Sequence, residues 1–123
     1  MTTKYKAVFS DIDGTLLNSK HQIPTATKNK IQQINKQGIP YVLVSARMPK
    51  GMTNIRAELG AKSPMICYSG ALVVNEEDKP IYSVTISKED AKNLCKKIQK
   101  INVNISISIY TNDEWLVENK EEY

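Results

Sequence analysis

Three short apolar runs, Ala7-Val8-Phe9, Ile39 to Val44 and Met65 to Tyr68, are separated by two stretches of helical pattern. Continuous apolar runs of this length fit strands buried on both faces of a parallel sheet. The first strand is expected over Tyr5 to Ser10. Between the first two runs, Pro24 to Gln37 reads as a helix. Thr27, Ile31 and Ile34 share a face, Pro24 suits the first turn and Gly38 is a good stop. A second helix is expected over Pro49 to Leu59, ended by Gly60. A β-α-β-α-β order requires a parallel sheet with helical crossovers. Right-handed connections make it an α/β, Rossmann-like core.

After Ser69-Gly70 the pattern changes. Ala71 to Asn75 and Ile81 to Ile86 flank Glu76-Glu77-Asp78-Lys79-Pro80 and read as a β-hairpin. Ser87 is placed as an N-cap with Asp90 three residues on. Ala91, Leu94, Cys95, Ile98 and Ile101 then form one apolar helical stripe. Val103, Ile105, Ile107 and Ile109 alternate with polar residues, which predicts a strand with one wet face. Trp115 to Glu118 is expected to begin another strand. The expected division is residues 1–85 for the α/β core and 86–123 for the start of an α+β unit.

The chain has 123 residues, 41% hydrophobic and 24% charged, with a formal charge of +4. That is room for one compact domain, or for a domain and part of another. Of 17 basic residues only Arg47 and Arg56 are arginine. The lysines are interleaved with acids, the pattern of a solvated surface and not of a nucleic-acid interface. Cys67 and Cys95 lie among apolar neighbours and read as small hydrophobes. His21, the one histidine, has no companion ligand, so zinc is not expected. No apolar run is long enough to span a membrane, and no leader pattern precedes the first strand. A cytoplasmic location is expected.

The densest chemistry is Asp11-Ile12-Asp13-Gly14-Thr15, directly after the first strand. Sites in open α/β sheets form beyond the carboxyl ends of strands. Two carboxylates there repel unless a cation or a specific role offsets the cost. Gly14 allows a tight turn that aims backbone N–H groups at an anion. The plain alternative is a polar turn. Val44-Ser45-Ala46-Arg47 ends the second strand, with a hydroxyl and N–H groups able to bind phosphate oxygens. Ser45 would serve equally as a helix N-cap. Tyr68-Ser69-Gly70-Ala71 follows the third strand, and a simple glycine turn is the other explanation.

Asp11-Ile12-Asp13-Gly14-Thr15 resembles the first motif of the haloacid dehalogenase (HAD) superfamily, Asp-x-Asp-Gly-Thr. The resemblance implies that Asp11 is the nucleophile, forming an aspartyl phosphate, and that its other oxygen binds Mg²⁺. It implies that the Asp13 carbonyl is a second metal ligand and its side chain the acid and base. The superfamily's ion pumps carry Lys-Thr-Gly-Thr after the nucleophile, so Asp13 favours a phosphatase. Ser45-Ala46-Arg47 is similar to the second motif, Thr-Gly-Arg in one subfamily. It would bind the phosphate, with Arg47 facing the anionic substrate. Ser69-Gly70-Ala71 resembles the Asn-Gly-Ala of the Cof-type subfamily, with Ser in place of Asn. Gly14, Thr15, Ser69 and Gly70 complete the implied phosphate and substrate contacts. The hairpin, helix and half-wet strand resemble the start of that subfamily's cap.

In the family a lysine and an acidic, metal-binding motif follow the cap. Lys120 and Asp113-Glu114 stand in the wrong context for either. The expectation is therefore a truncated enzyme: a Mg²⁺-dependent phosphatase of a small phosphorylated metabolite, incomplete for catalysis alone. The competing expectation is a non-catalytic remnant that binds anions or a protein partner. An uncovered first strand would invite pairing through sheet edges, giving a homo-oligomer. A receiver domain would carry its acceptor Asp where Tyr68-Ser69-Gly70 stands, and no Gly-x-Gly-x-x-Gly follows the first strand.

Overall fold

The computed structural model describes residues 4–111 and 113–117. Glu118, where the last expected strand was to end, and Lys120 lie outside them. The chain divides into two compact units, Met1–Ser83 and Val84–Tyr123.

The first unit is a five-stranded sheet with two helices. Its strands are β1 (Val8–Asp11), β2 (Tyr41–Val44), β3 (Met65–Cys67), β4 (Leu72–Val74) and β5 (Pro80–Ser83), in that spatial order. β1, β2 and β3 are parallel, and β4 and β5 are antiparallel. The helices are α1 (Thr25–Lys36) and α2 (Lys50–Glu58). The hairpin thus extends the same Rossmann-like α/β sheet. Its register slips between Val73 and Val74, so Ile81 forms a bulge. Pro80 is tolerated because it opens an edge strand.

β1 starts later than expected. Val8 pairs with Tyr41, and its N–H donates to the Pro40 carbonyl at 2.9 Å. Extending this parallel ladder back to Lys6 would require an N–H from Pro40, and proline has none. The same proline delays β2 from Ile39 to Tyr41.

Register assigns Val8, Tyr41, Leu43, Met65, Cys67, Leu72 and Val74 to one face. These residues pack with Ile31 of α1, Met52 of α2, Leu59 and Ile12 in a single core. Both crossovers therefore place their helices on the same side, as right-handed connections running one way must. The expectation that β1 is buried on both faces is corrected. Phe9 points to the other side and is 64% exposed. β1 is also the edge of the sheet among the described residues.

Arg56 of α2 is buried and fastens the hairpin. It reaches the Asp78 carboxylate at 2.6 Å and the carbonyls of Asn75 at 3.1 Å and Ser63 at 3.4 Å. Cys67 is fully buried, and neither it nor Cys95 forms a disulfide.

The second unit holds α3 (Lys88–Ile101) and a hairpin of β6 (Ser108–Thr111) and β7 (Glu114–Val117). Ser87 caps α3, accepting the Asp90 N–H at 3.0 Å. Tyr110 stacks on Trp115 across the hairpin. The long strand expected from Val103 is corrected: only Ser108–Thr111 is extended in a ladder. Asn102 diverts the chain, its side chain accepting from the Asn104 N–H and its carbonyl from the Ile105 N–H. Such local bonds compete with strand pairing. No residue described in this unit is buried, and Leu94, Ile101 and Leu116 of its apolar surface are exposed.

Candidate functional site at the carboxyl ends of the parallel strands

Asp11 is the last residue of β1 and pairs with Val44, the last residue of β2. Ser45 follows β2, and Ser69 follows β3 by two residues. The three segments singled out in the sequence thus lie at the carboxyl ends of three adjacent parallel strands.

Beyond Asp11 the chain makes a five-residue turn, Ile12–Leu16, closed by the Leu17 N–H on the Ile12 carbonyl at 3.0 Å. Buried Ile12 and Leu16 anchor it, while Asp13, Gly14 and Thr15 remain exposed. Gly14 sits at φ 74°, ψ 1°, and an added Cβ would meet nothing within 4 Å. Its need for glycine is conformational and not steric crowding. Thr15 turns its hydroxyl back to donate to Asp11 Oδ2 at 3.0 Å. That bond orients the Asp11 carboxylate.

The two neighbouring loops are stitched together by backbone. Ser45 N–H donates to the Ile66 carbonyl, Ser69 N–H to the Ser45 carbonyl and Tyr68 N–H to the Arg47 carbonyl, at 3.0 to 3.1 Å. Tyr68, Ser69 and Gly70 have φ of 50°, 54° and 98°. Left-handed residues with a Cβ cost about 1–2 kcal/mol each, so these bonds hold a strained turn. Strain of this kind collects at functional sites. The buried Ser45 hydroxyl accepts the Arg47 N–H at 3.2 Å. This is a local turn and not the cap of α2, whose N-cap is Pro49. Ala46 is exposed beside it.

Arg47, expected to face an anionic substrate, makes internal contacts in this structure. Its Nη2 and Nε donate to the two Asp13 carboxylate oxygens at 2.6 and 2.9 Å, and its Nη1 to the Gly51 carbonyl at 3.2 Å. The guanidinium holds the Asp13 carboxyl below the usual carboxylate range, through these hydrogen bonds first and through its charge. Slight burial opposes this, and His21 adds a small favourable charge. Neither the Thr15–Asp11 bond nor the Arg47–Asp13 pair was foreseen in the sequence. The one available signal was the use of arginine at 47 in a chain that otherwise prefers lysine.

Asp11 and the Asp13 backbone carbonyl offer hard oxygen ligands of the kind Mg²⁺ takes. Among the described residues no cluster of three or more His, Cys, Asp or Glu side chains could hold a metal. The fit is that of a partial site, and Mg²⁺ is commonly held by one or two carboxylates plus phosphate and water. A separate open cleft of about 690 Å³ lies at the opposite end of the sheet, beside Gly38–Pro40 and Lys62–Ser63. It brings together none of the residues above.

A mixed α/β sheet thus carries an Asp-x-Asp loop at the carboxyl end of its first parallel strand. The chain belongs to the haloacid dehalogenase-like hydrolase family, whose model matches residues 8–123. It is 38% identical over 110 residues to a putative phosphatase of Haemophilus influenzae, covering 89% of this chain and 42% of that protein. It is 31% identical over 110 residues to the phosphatase YwpJ of Bacillus subtilis, covering 86% and 39%. A haloacid dehalogenase-like hydrolase structure from Bacteroides thetaiotaomicron superposes with a TM-score of 0.83 at 30% identity, covering 97% of this chain and 46% of that one. The chain thus spans less than half the length of the relatives it matches.

Proposed function

We propose that this chain is the N-terminal portion of a Mg²⁺-dependent phosphoric monoester hydrolase acting on a small phosphorylated metabolite. The observation that carries the proposal is the convergence of Asp11, Asp13, Ser45 and Arg47 at one end of the parallel strands. Residues 1–85 form the core and 86–123 begin a cap. In this reading one Asp11 oxygen attacks phosphorus while the bond to the leaving oxygen breaks, and Asp13, once free of the Arg47 fork and protonated from solvent, gives that oxygen its proton. Water then attacks the aspartyl phosphate, Asp13 takes its proton, and the bond from phosphorus to Asp11 breaks. Thr15 fixes the attacking carboxylate. The Ser45 hydroxyl and the N–H groups of Gly14, Ala46 and Gly70 hold phosphate oxygens, and Ser69, whose N–H is held by the Ser45 carbonyl, contacts the substrate through its side chain. Asp11 and the Asp13 carbonyl would hold Mg²⁺, which neutralises phosphoryl charge when bound.

The chain alone is incomplete for turnover in this proposal, because among the described residues no cluster of three or more His, Cys, Asp or Glu side chains completes the metal site begun by Asp11 and the Asp13 carbonyl. A second reading, a non-catalytic remnant that binds anions or a partner, draws support from exposed Phe9 on the edge strand. The exposed edge also supports a homo-oligomer. Location is taken as cytoplasmic; no described helix is long and apolar enough to cross a membrane. Hydrolysis of an aryl phosphate with and without Mg²⁺ tests the assignment. The isolated chain should show little or none, and a form extended to the relatives' length should turn over and lose activity with Asp11→Asn. An inactive extended form would overturn the phosphatase assignment. Robust hydrolysis by the isolated chain, abolished by Asp11→Asn, would overturn its incompleteness.

A further inference from the structure

Arg47 has two claimants. All of its side-chain contacts described above are internal, and both oxygens of Asp13 are occupied by its fork. Yet its backbone lies in the loop that, on the reading proposed above, cradles a phosphate. A guanidinium has five N–H donors and two edges that can each grip an anion; here the Nε–Nη2 edge holds Asp13 and Nη1 holds the Gly51 carbonyl, so a phosphate gripped bidentately through Nε and Nη2 must displace Asp13. The pair is also open to water, with side-chain exposures of 35% for Arg47 and 52% for Asp13. An exposed pair is held by a modest free energy, so a doubly charged anion can compete for it. By contrast the Arg47 backbone is pinned on both sides, by Ser45 Oγ on its N–H and by the Tyr68 N–H on its carbonyl. The guanidinium can therefore change partner by side-chain rotation while its anchor stays fixed.

We propose that Arg47 is a positioning residue that works as an exchange latch. Without anion it clamps the Asp13 carboxylate. A phosphate group entering between the β1 and β2 loops takes over the fork and releases Asp13 toward the leaving oxygen. The inference rests on the phosphate-binding reading of these loops. It differs from a static role, in which Arg47 anchors Asp13 permanently and the anion binds without it.

Inorganic phosphate is the probe, and the isolated chain is sufficient because no turnover is needed. Binding is measured by nuclear magnetic resonance for the wild type, Asp13→Asn, Asp11→Asn and Arg47→Met, and for each aspartate variant combined with Arg47→Met. Asp13→Asn removes the internal competitor and should tighten phosphate by about fivefold, the scale of an exposed ion pair. In the Arg47→Met background that gain should shrink to the part that comes from removing a negative charge alone. Asp11→Asn removes the same charge without freeing the fork, so its gain should persist in the Arg47→Met background. In the wild type, the Arg47 Nε–H resonance should move as phosphate saturates, an observation that depends on no variant folding. A gain from Asp13→Asn that is undiminished by Arg47→Met, or an Arg47 Nε–H unmoved at saturation, overturns the latch while leaving the phosphate site standing. Absence of phosphate binding by every form overturns the site itself, and the latch with it.

Discussion

Replacing Arg56 by methionine isolates what the hairpin clasp contributes. Methionine keeps most of the apolar stem in the core but removes three polar contacts, to Asp78, Asn75 and Ser63. The Ser63 residue is 1% exposed, so its carbonyl is poorly placed to recover the loss from water. Asp78 is 41% exposed in its side chain and can be rehydrated. A hydrogen bond to a charged group contributes about 1.5–3 kcal/mol, and a buried polar group left without a partner costs about 1–3 kcal/mol. Since Asp78 recovers part of its share, Arg56→Met should destabilise the first unit by roughly 2–3 kcal/mol. Asp78→Asn is the companion: it keeps an acceptor, and asparagine tolerates the φ of 61° found there. It should cost only about 1 kcal/mol. The reference is Lys28→Ala, which breaks the exposed Lys28–Glu58 contact at 3.4 Å and should cost under about 0.5 kcal/mol. Urea unfolding followed by far-ultraviolet circular dichroism reads all three. Trp115, the single tryptophan, lies in the second unit and does not report on this core. With a slope of about 1–1.5 kcal/mol per molar urea, Arg56→Met should lower the midpoint by roughly 2 M. A midpoint shift for Arg56→Met no larger than that for Lys28→Ala would refute the claim that the buried guanidinium holds the hairpin in place.

Gly14→Ala should cost about 1 kcal/mol through its left-handed backbone alone, since the added Cβ has open space; a thermal melt unchanged from wild type would contradict this. The Arg47–Asp13 contact should persist as pH falls below 3.8, the ordinary Asp value, because the folded carboxyl titrates lower. Its small stabilising contribution is present above that value and fades as pH drops through the folded one, which the Arg47 Nε–H resonance can follow. The exposed β1 edge should make the chain self-associate with concentration, and Phe9→Lys should shift it toward monomer. Light scattering that finds wild-type monomer across a dilution series would remove that expectation.

What could be read from the sequence was whatever is local in the chain. Pro24, Gly38 and Gly60 bracket helices close to where they lie, and the Ser87 cap is where its spacing with Asp90 places it. The run Ala7-Val8-Phe9 announced a strand, but not that one of its faces would be bare. That follows from two crossovers running in the same direction, a property of the whole sheet. The alternation of Val103 to Ile109 had the period of a strand, and Asn102 overrode it through bonds that span only a few residues. Periodicity measures which side chains could share a face and not whether the backbone remains extended. In the candidate site, the three loops were legible because each follows an apolar run. The contacts that set side-chain direction were not. Arg47 meets Asp13 across 34 positions, and Arg56 meets Asp78 across 22. Both arginines of this lysine-rich chain make such carboxylate pairs, so the choice of arginine was the mark these contacts left in the sequence.

The order of the sheet bears on how the chain acquires it. From β1 to β5, each strand lies beside the one synthesised just before it, and none is inserted between two earlier strands. A chain leaving the ribosome can therefore add each strand to a finished edge without reopening any pairing. The first unit can close its core once Val74 has emerged, before the apolar surface of the second unit has left the ribosome. The edge that waits longest for a neighbour during synthesis is then the oldest one, β1, the strand that ends in Asp11.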